Sequence, residues 1–255
     1  MNSKIVVIGS CNIDLQCFTP RLPRPGETLH GTEFRKGFGG KGANQCVAAA
    51  KLGSSTAMIA RLGNDSFGQE FHRALKDNKI NTDYVLMTDG VSSGLALITV
   101  AQNGIAIVNA APAVTNPDPL VFRLSDIFCV NESEAEVLTG MAVQSVDEAK
   151  VAVGLLLDKG CKQVIITLGA SGAVFASQGN LTPVHVPTKT VKSVDSTGAG
   201  DMFVGGLAFY LAYYPQLPMR EIVKRSCEVA TVSVQNYGTQ TSFPTKDDLP
   251  TELFL

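Results

Sequence analysis

The chain has 255 residues, 45% hydrophobic and 17% charged, with 21 Lys and Arg against 23 Asp and Glu for a net charge of −2. That length fits one large domain, or a domain with a small appendage, with ample material for a core. The near balance of scattered charges leaves no general field to draw nucleic acid or an anionic membrane surface, and no apolar run approaches a membrane span.

The six cysteines, Cys11, Cys17, Cys46, Cys129, Cys161 and Cys227, lie apart with no CxxC and no His at metal-ligand spacing, so reduced core thiols are expected. Met1–Lys4 runs directly into an apolar strand, which leaves no room for a signal or transit peptide and predicts a cytoplasmic protein.

Ile5–Ile8 is a β-branched run ending at Gly9, the pattern of a strand buried on both faces of a parallel sheet. Asn12 and Asp14 follow at its carboxyl end, where ligands bind in such sheets, although a capped turn accounts for the pair equally well. Residues 16–38, broken by Pro20, Pro23, Pro25 and Gly26, predict short antiparallel strands forming a flap over the sheet. Gly39-Gly40-Lys41-Gly42-Ala43-Asn44 then opens a helix running to Lys51. It is not a P-loop, because no Ser or Thr follows Lys41; its glycines would let a ligand meet backbone while Lys41 or Asn44 grips hydroxyls or phosphate.

A strand is predicted at Ala57–Ala60, then a helix capped by Asp65 with Phe67, Phe71 and Leu75 on one face. Tyr84–Met87, Gly94–Ala101 and Ile105–Val108 read as strands, the last two joined by a hairpin turn at Gln102-Asn103-Gly104. A Pro-rich loop precedes the strand Asp126–Val130. Asn131 and Glu134, three apart at the start of the next helix, face the sheet's ligand crevice and could hold hydrated Mg²⁺; an ordinary acid at a helix N-terminus is the commoner case. Ser145–Glu148 begins another helix, Gln163–Leu168 another buried strand, and Thr167-Leu168-Gly169-Ala170-Ser171-Gly172 makes a small-residue turn open to a flat ring or a phosphate.

The chain is organised around Asp195-Ser196-Thr197-Gly198-Ala199-Gly200-Asp201, where an extended segment, His185–Val194, becomes a buried helix. Unpaired N–H groups and the helix dipole make Gly198–Gly200 an anion hole. Asp201 beside it makes sense as a base taking a proton from a hydroxyl that attacks phosphorus, while a Gly-rich turn with an ordinary first-turn acid fits the same four residues. Glu221–Gln235 is a further helix, and Asn236–Ser242 a polar loop.

Taken together and in this order, Gly9–Asp14, Gly39–Asn44, Asn131–Glu134, Thr167–Gly172 and Asp195–Asp201 resemble the motifs of the ribokinase-like carbohydrate kinases over nearly the whole chain. The resemblance implies an α/β fold over residues 1–255, a mostly parallel sheet sandwiched by helices, with a small lid of strands at about 16–38 and 94–108. It implies ATP-dependent phosphorylation of ribose at its primary hydroxyl, or of another sugar or a nucleoside. Asp201 would be the base, Gly198, Ala199 and Gly200 the anion hole, and Asn12, Asp14, Gly39, Gly40, Lys41, Gly42, Ala43 and Asn44 the sugar side. Asn131 and Glu134 would order Mg²⁺ and phosphates, and Thr167–Gly172 with the helix Cys227–Gln235 would flank adenine. Asp195, Thr197, Ser233, Asn236, Gly238 and Ser242 would hold K⁺. A homodimer formed through the lid and a cytoplasmic and nuclear location complete the expectation.

In that family a Gly-Ala-Asn segment, a helix, a strand ending in a sugar-contacting Glu, a second helix and a further strand separate the hairpin from the Pro-rich loop. Here Val108 joins Asn109-Ala110-Ala111-Pro112 directly. Ile105–Val108 is therefore expected to serve either as hairpin strand or as the strand feeding the loop, but not both. A chain so shortened is expected to retain weak ATP binding, to have poor or absent ribose kinase activity and to aggregate.

Overall fold

The structure, a computed structural model, describes residues 4–21, 29–90, 98–101, 105–110, 113 and 115–255. The strand starts expected within 22–28 and at 94–97, the hairpin turn 102–104 and Ala111-Pro112 lie outside them. In chain order the elements are β1 (Lys4–Ile8), β2 (Asn12–Phe18), β3 (Glu33–Gly39), α1 (Lys41–Lys51), β4 (Ser55–Gly63), α2 (Ser66–Asp77), β5 (Asn81–Thr88), β6 (Ile98–Ala101) and β7 (Ile105–Asn109). There follow α3 (Pro119–Arg123), β8 (Ile127–Asn131), α4 (Glu132–Thr139), α5 (Val146–Asp158), β9 (Gln163–Thr167), β10 (Ala173–Ser177), β11 (Asn180–Val186), α6 (Ala199–Tyr213) and α7 (Met219–Ser233).

Nine strands form one sheet in the order β11-β10-β9-β8-β7-β6-β1-β4-β5. Pairing is parallel in two blocks, β1-β4-β5 and β7-β8-β9, as expected of an α/β fold. Alternation along the buried strands sends side chains to two cores. Ile127 and Cys129 of β8 and Ile165 of β9 join Val47 of α1, Leu207 of α6 and Val223 of α7. Phe128, Val130, Val164 and Ile166 point the other way, into a core with Leu138 of α4 and Val153 and Leu156 of α5. Helix α6 is buried along its length from Met202 to Leu211, which explains its apolar sequence on every face.

The hairpin corrects the sequence reading. β6 pairs antiparallel with β1, while β7 pairs antiparallel with β6 and parallel with β8. One strand thus serves as hairpin partner and as the strand feeding the loop, and 98–101 and 105–109 are central strands rather than lid. Without them β1 and β8 would present rows of unpaired N–H and C=O groups in the middle of the molecule, and pairing to the hairpin removes both edges. β2 and β3 form a separate two-stranded sheet, registered from Asn12↔Gly39 to Phe18↔Glu33.

On the face of β1, β4 and β5 turned away from α1, Ile8, Ile59 and Tyr84 are register neighbours and Leu86 lies beside Arg61. Ile8 is 36% exposed, Tyr84 59% and Leu86 58%.

Candidate active site

Two backbone turns make the floor of the site. Gly40, at φ 92, adopts a conformation closed to most side chains, and a Cβ there would lie 2.6 Å from the carbonyl oxygen of Ser10. Ala43 N donates to that same oxygen at 3.1 Å. The glycines of Gly39–Gly42 therefore let the helix entrance seat directly on Gly9–Asn12. At Gly40 and Gly42 the absence of a side chain is what admits the neighbouring turn. The result sets Asn12 of β2 opposite Gly39 and its backbone N against Gly40, at the entrance of α1, and the Asp14 carboxylate sits against Gly39.

Helix α1 then meets α6 at close range. A Cβ on Gly205 would stand 2.6 Å from Ala48 Cβ and 2.9 Å from the Gln45 carbonyl oxygen, so the small residue sets the approach of the two helices. That approach delivers Asn44 and Gln45 to the first turn of α6. Asn44 Nδ2 donates to Asp201 Oδ2 at 2.8 Å and Gln45 Nε2 to Asp201 Oδ1 at 3.1 Å. Burial raises the pKa of Asp201, while the two amide donors and Lys41 oppose the rise and Glu134 adds to it. Gly198, at φ 83, caps α6, whose helical residues begin at Ala199, two earlier than the apolar spacing indicates.

Asn131 and Glu134 close on each other as a capping box: Asn131 Oδ1 accepts from Glu134 N at 2.9 Å, and Glu134 Oε2 from Asn131 N at 3.0 Å. The other carboxylate oxygen of Glu134 faces Lys41 Nζ at 3.4 Å, which joins the β8 side of the site to the β1 side.

Between β8, β9, α6 and α7 lies a cavity of about 550 Å³. Of the residues expected to flank a nucleotide, Asn131, Thr167, Gly169, Ala170, Gly172, Gly200 and Cys227 line it. Leu168 does not: its side chain is buried in the core with Val174 and Val164, because it continues the inward face of β9. Ser171 instead offers its carbonyl oxygen to His185 Nε2 at 2.7 Å, which pins the turn to β11. Burial pushes the Cys227 thiol up to about 12, so it faces the cavity as a neutral wall. Thr231 lines it too, on the helix expected there, while Thr188 and Lys189 also line the cavity and had no distinguishing signal in the sequence.

Asp195 ties two loops together, its Oδ1 accepting from Thr197 N and its Oδ2 from Gly238 N, both at 2.9 Å. These bonds hold its carboxyl below the usual range. Asn236 N donates to the Ser233 carbonyl at 3.3 Å, and the buried Ser233 and Ser242 hydroxyls donate to Ala230 O and Thr239 O at 2.8 Å. Cys11, Cys46, Cys129, Cys161 and Cys227 are buried and free, as the sequence indicates. No helix among the described residues is long and apolar enough to cross a membrane.

A carboxylate at a helix N-terminus beside a nucleotide-sized cavity, on a sheet with helices on both faces, is the arrangement of a phosphotransferase of the carbohydrate-kinase class. The pfkB family carbohydrate kinases match this chain over residues 2–120 and again over 107–246, and the chain belongs to that family. Mouse ribokinase is 46% identical over 98% of this chain and 94% of its own length, and the deoxyribokinase of Salmonella typhi is 34% identical over 94% and 95%. A solved structure of Arabidopsis thaliana ribokinase, complexed with ribose and ATP, superposes with a TM-score of 0.85 at 25% identity and covers all of both chains. The Giardia lamblia ribokinase structure shares the fold, with a TM-score of 0.82 at 21% identity over 95% of this chain.

The comparisons also bear on the shortened segment. Residues 107–120 fall within both parts of the family match, and the alignment with mouse ribokinase runs over 305 positions while taking in 98% of the 255 residues here.

Proposed function

We propose that the chain transfers the γ-phosphoryl group of ATP to the primary hydroxyl of ribose, giving ribose 5-phosphate and ADP. The observation that carries the reading is the placement of Asp201, held by Asn44 and Gln45 beside the helix terminus Gly198–Gly200. The hydroxyl proton passes to the Asp201 carboxylate as the sugar oxygen bonds to phosphorus, and the bond to the β-phosphate oxygen breaks in line. The backbone N–H groups of Gly198–Gly200 stabilise the charge on the transferring group. Asn12, Asp14, Lys41 and Asn44 hold the sugar hydroxyls, and the cavity beyond Gly200 takes the nucleotide.

Asn131 and Glu134 would order Mg²⁺ through water, since Glu134 already spends one oxygen on a backbone N–H and the other on Lys41. Among the described residues no group of three or more His, Cys, Asp or Glu side chains gathers as a cage, which fits an ion held mainly by water and substrate phosphates. Asp195, Thr197, Ser233, Asn236, Gly238 and Ser242 would hold K⁺, whose charge would add positive potential beside the anion hole. The exposed Phe18 and Phe34 of the lid support a homodimer through β2–β3, and the buried free thiols support a reducing, cytoplasmic setting.

A second reading, a chain that binds nucleotide with weak turnover, is favoured by the doubly matched segment 107–120. Transfer of label from [γ-³²P]ATP to ribose, 2-deoxyribose, fructose and nucleosides separates the readings. The highest kcat/KM is expected with ribose. ATP binding without transfer to any of these acceptors leaves the second reading standing.

A further inference from the structure

Asp201 meets the side-chain amides of Asn44 and Gln45, and the orientation of each decides what it presents to the carboxylate. A side-chain amide can offer either its NH₂ or its oxygen, and at Asn44 a third residue decides: Gln240 Nε2 donates to Asn44 Oδ1 at 3.0 Å. The oxygen is thereby engaged away from the base, and the NH₂ is turned toward it. Gln240 is itself fixed, because its backbone carbonyl accepts from Lys51 Nζ at 2.6 Å, as the carbonyl of Phe243 does at 3.0 Å. Lys51 ends α1 and Asn44 lies in its first turn, so one helix anchors the C-terminal turn at one end and receives its side chain at the other. Asn44 is 5% exposed and Gln45 1%, which leaves little access for water to replace a lost partner.

We propose that Gln240 and Gln45 are positioning residues for phosphoryl transfer: Gln240 fixes the Asn44 amide with its NH₂ toward Asp201, and Gln45 holds the second carboxylate oxygen. The inference rests on Asp201 being the base. A carboxyl that meets two N–H donors is favoured as the anion, whereas a reversed Asn44 amide would present its oxygen and favour the acid. Two charged groups act on Asp201, Lys41 of α1 favouring the anion and Glu134 of α4 opposing it. The amide pair is the part of this balance that a neutral substitution removes alone. The relay also links the base to the loop between Gly238 and Ser242, so the conformation of that loop reaches the chemistry through a single side chain.

Gln240→Met keeps the bulk and removes the donor. Gln240→Glu keeps the shape but can only accept, which draws the Asn44 NH₂ away from Asp201. Neither touches the carbonyl that Lys51 holds. Both should move the acid limb of the kcat/KM profile upward, and kcat at neutral pH should fall by about tenfold or more, as for a displaced base. The Met variant separates amide orientation from the added charge of Glu. The ¹³Cγ titration of Asp201 in protein labelled with [4-¹³C]aspartate, assigned by its loss in Asp201→Asn, should shift upward in Gln240→Met, Gln240→Glu and Gln45→Met. This titration needs no turnover, so an inactive wild-type chain would defeat the kinase reading and leave the positioning test intact. An Asp201 titration unchanged in Gln240→Met and Gln240→Glu, with native melting, overturns the proposal.

Discussion

Replacing Asp201 by asparagine tests the site at its centre. A positioned base is worth about 10²–10⁴ in rate, or about 2.7–5.5 kcal/mol of barrier, and turnover should fall by that factor. The fold should survive, but not unchanged. Asp201 accepts from two amide nitrogens, and an asparagine can accept from only one, leaving its own NH₂ against the other. That contact costs about 1–3 kcal/mol, partly offset because a buried charge disappears. Burial raises the Asp201 pKa, so the folded state holds the proton more tightly than the unfolded chain does, whose value is near 3.8. The residue then favours the fold below that value and costs stability as pH rises through the folded one. Asp201→Asn should therefore lose most in Tm at acid pH and least at neutral pH. Coupled ADP release at saturating ribose and ATP gives kcat, and circular dichroism melts give Tm. Turnover within about tenfold of wild type, with native melting, removes Asp201 from the role.

Asp195→Ala leaves the N–H groups of Thr197 and Gly238 unpaired and should cost about 2 kcal/mol, or about 4–8 °C in Tm, at neutral pH. Because the folded carboxyl lies below its ordinary value of 3.8, this contribution is complete above that value, and the deficit should close as pH falls through the folded one. Gly205→Val drives two methyl groups into Ala48 and should cost about 1–3 kcal/mol, with a kcat loss larger than the shift in Tm accounts for, since Asn44 and Gln45 move with α1. K⁺ should raise activity more than Na⁺ in a titration at constant ionic strength, and indifference would discard the Asp195 site. The double variant Tyr84→Arg and Leu86→Glu should reduce concentration-dependent association in sedimentation; unchanged association would place the sticky surface elsewhere.

Local signals carried most of the site. The span of α1 from Lys41 to Lys51 and the helix start at Gly198–Gly200 each have a signature within a few residues, and the structure has both; the capping box of Asn131 and Glu134 was not read from the sequence. What escaped depends on distant pairing. The Gln240–Asn44 bond joins residues 196 apart and the Gln45–Asp201 bond residues 156 apart, and neither glutamine sits in a pattern that sets it apart from any polar residue. The destination of the hairpin escaped for the same reason. Alternation in Ile105–Val108 says that a strand forms, but which edges it joins depends on what else is left to pair with β1 and β8. The antiparallel strands β10 and β11 were missed: β10 is a five-residue run between Gly172 and Gly179, β11 carries Pro183, and their pairing depends on β9.

The shortened segment acts on the molecule unevenly. β7 beside β8 keeps the strand that ends in Asn131 in its parallel setting, and β6 beside β1 does the same for the turn that seats Gly40. The hairpin thus spaces the two halves by three strand intervals, about 14 Å. At that spacing Lys41 still reaches Glu134, and α1 still delivers Asn44 and Gln45 to Asp201. The phosphoryl-transfer geometry is held by α1, α6 and the ends of β1 and β8, none of which the hairpin displaces. A hairpin of two short strands can satisfy backbone edges, but it brings no helix to lie across the sheet. Ile8, Tyr84 and Leu86 stand exposed on that face, side by side in register. The loss therefore falls first on the apolar face of β1, β4 and β5, and only after it on the geometry at Asp201.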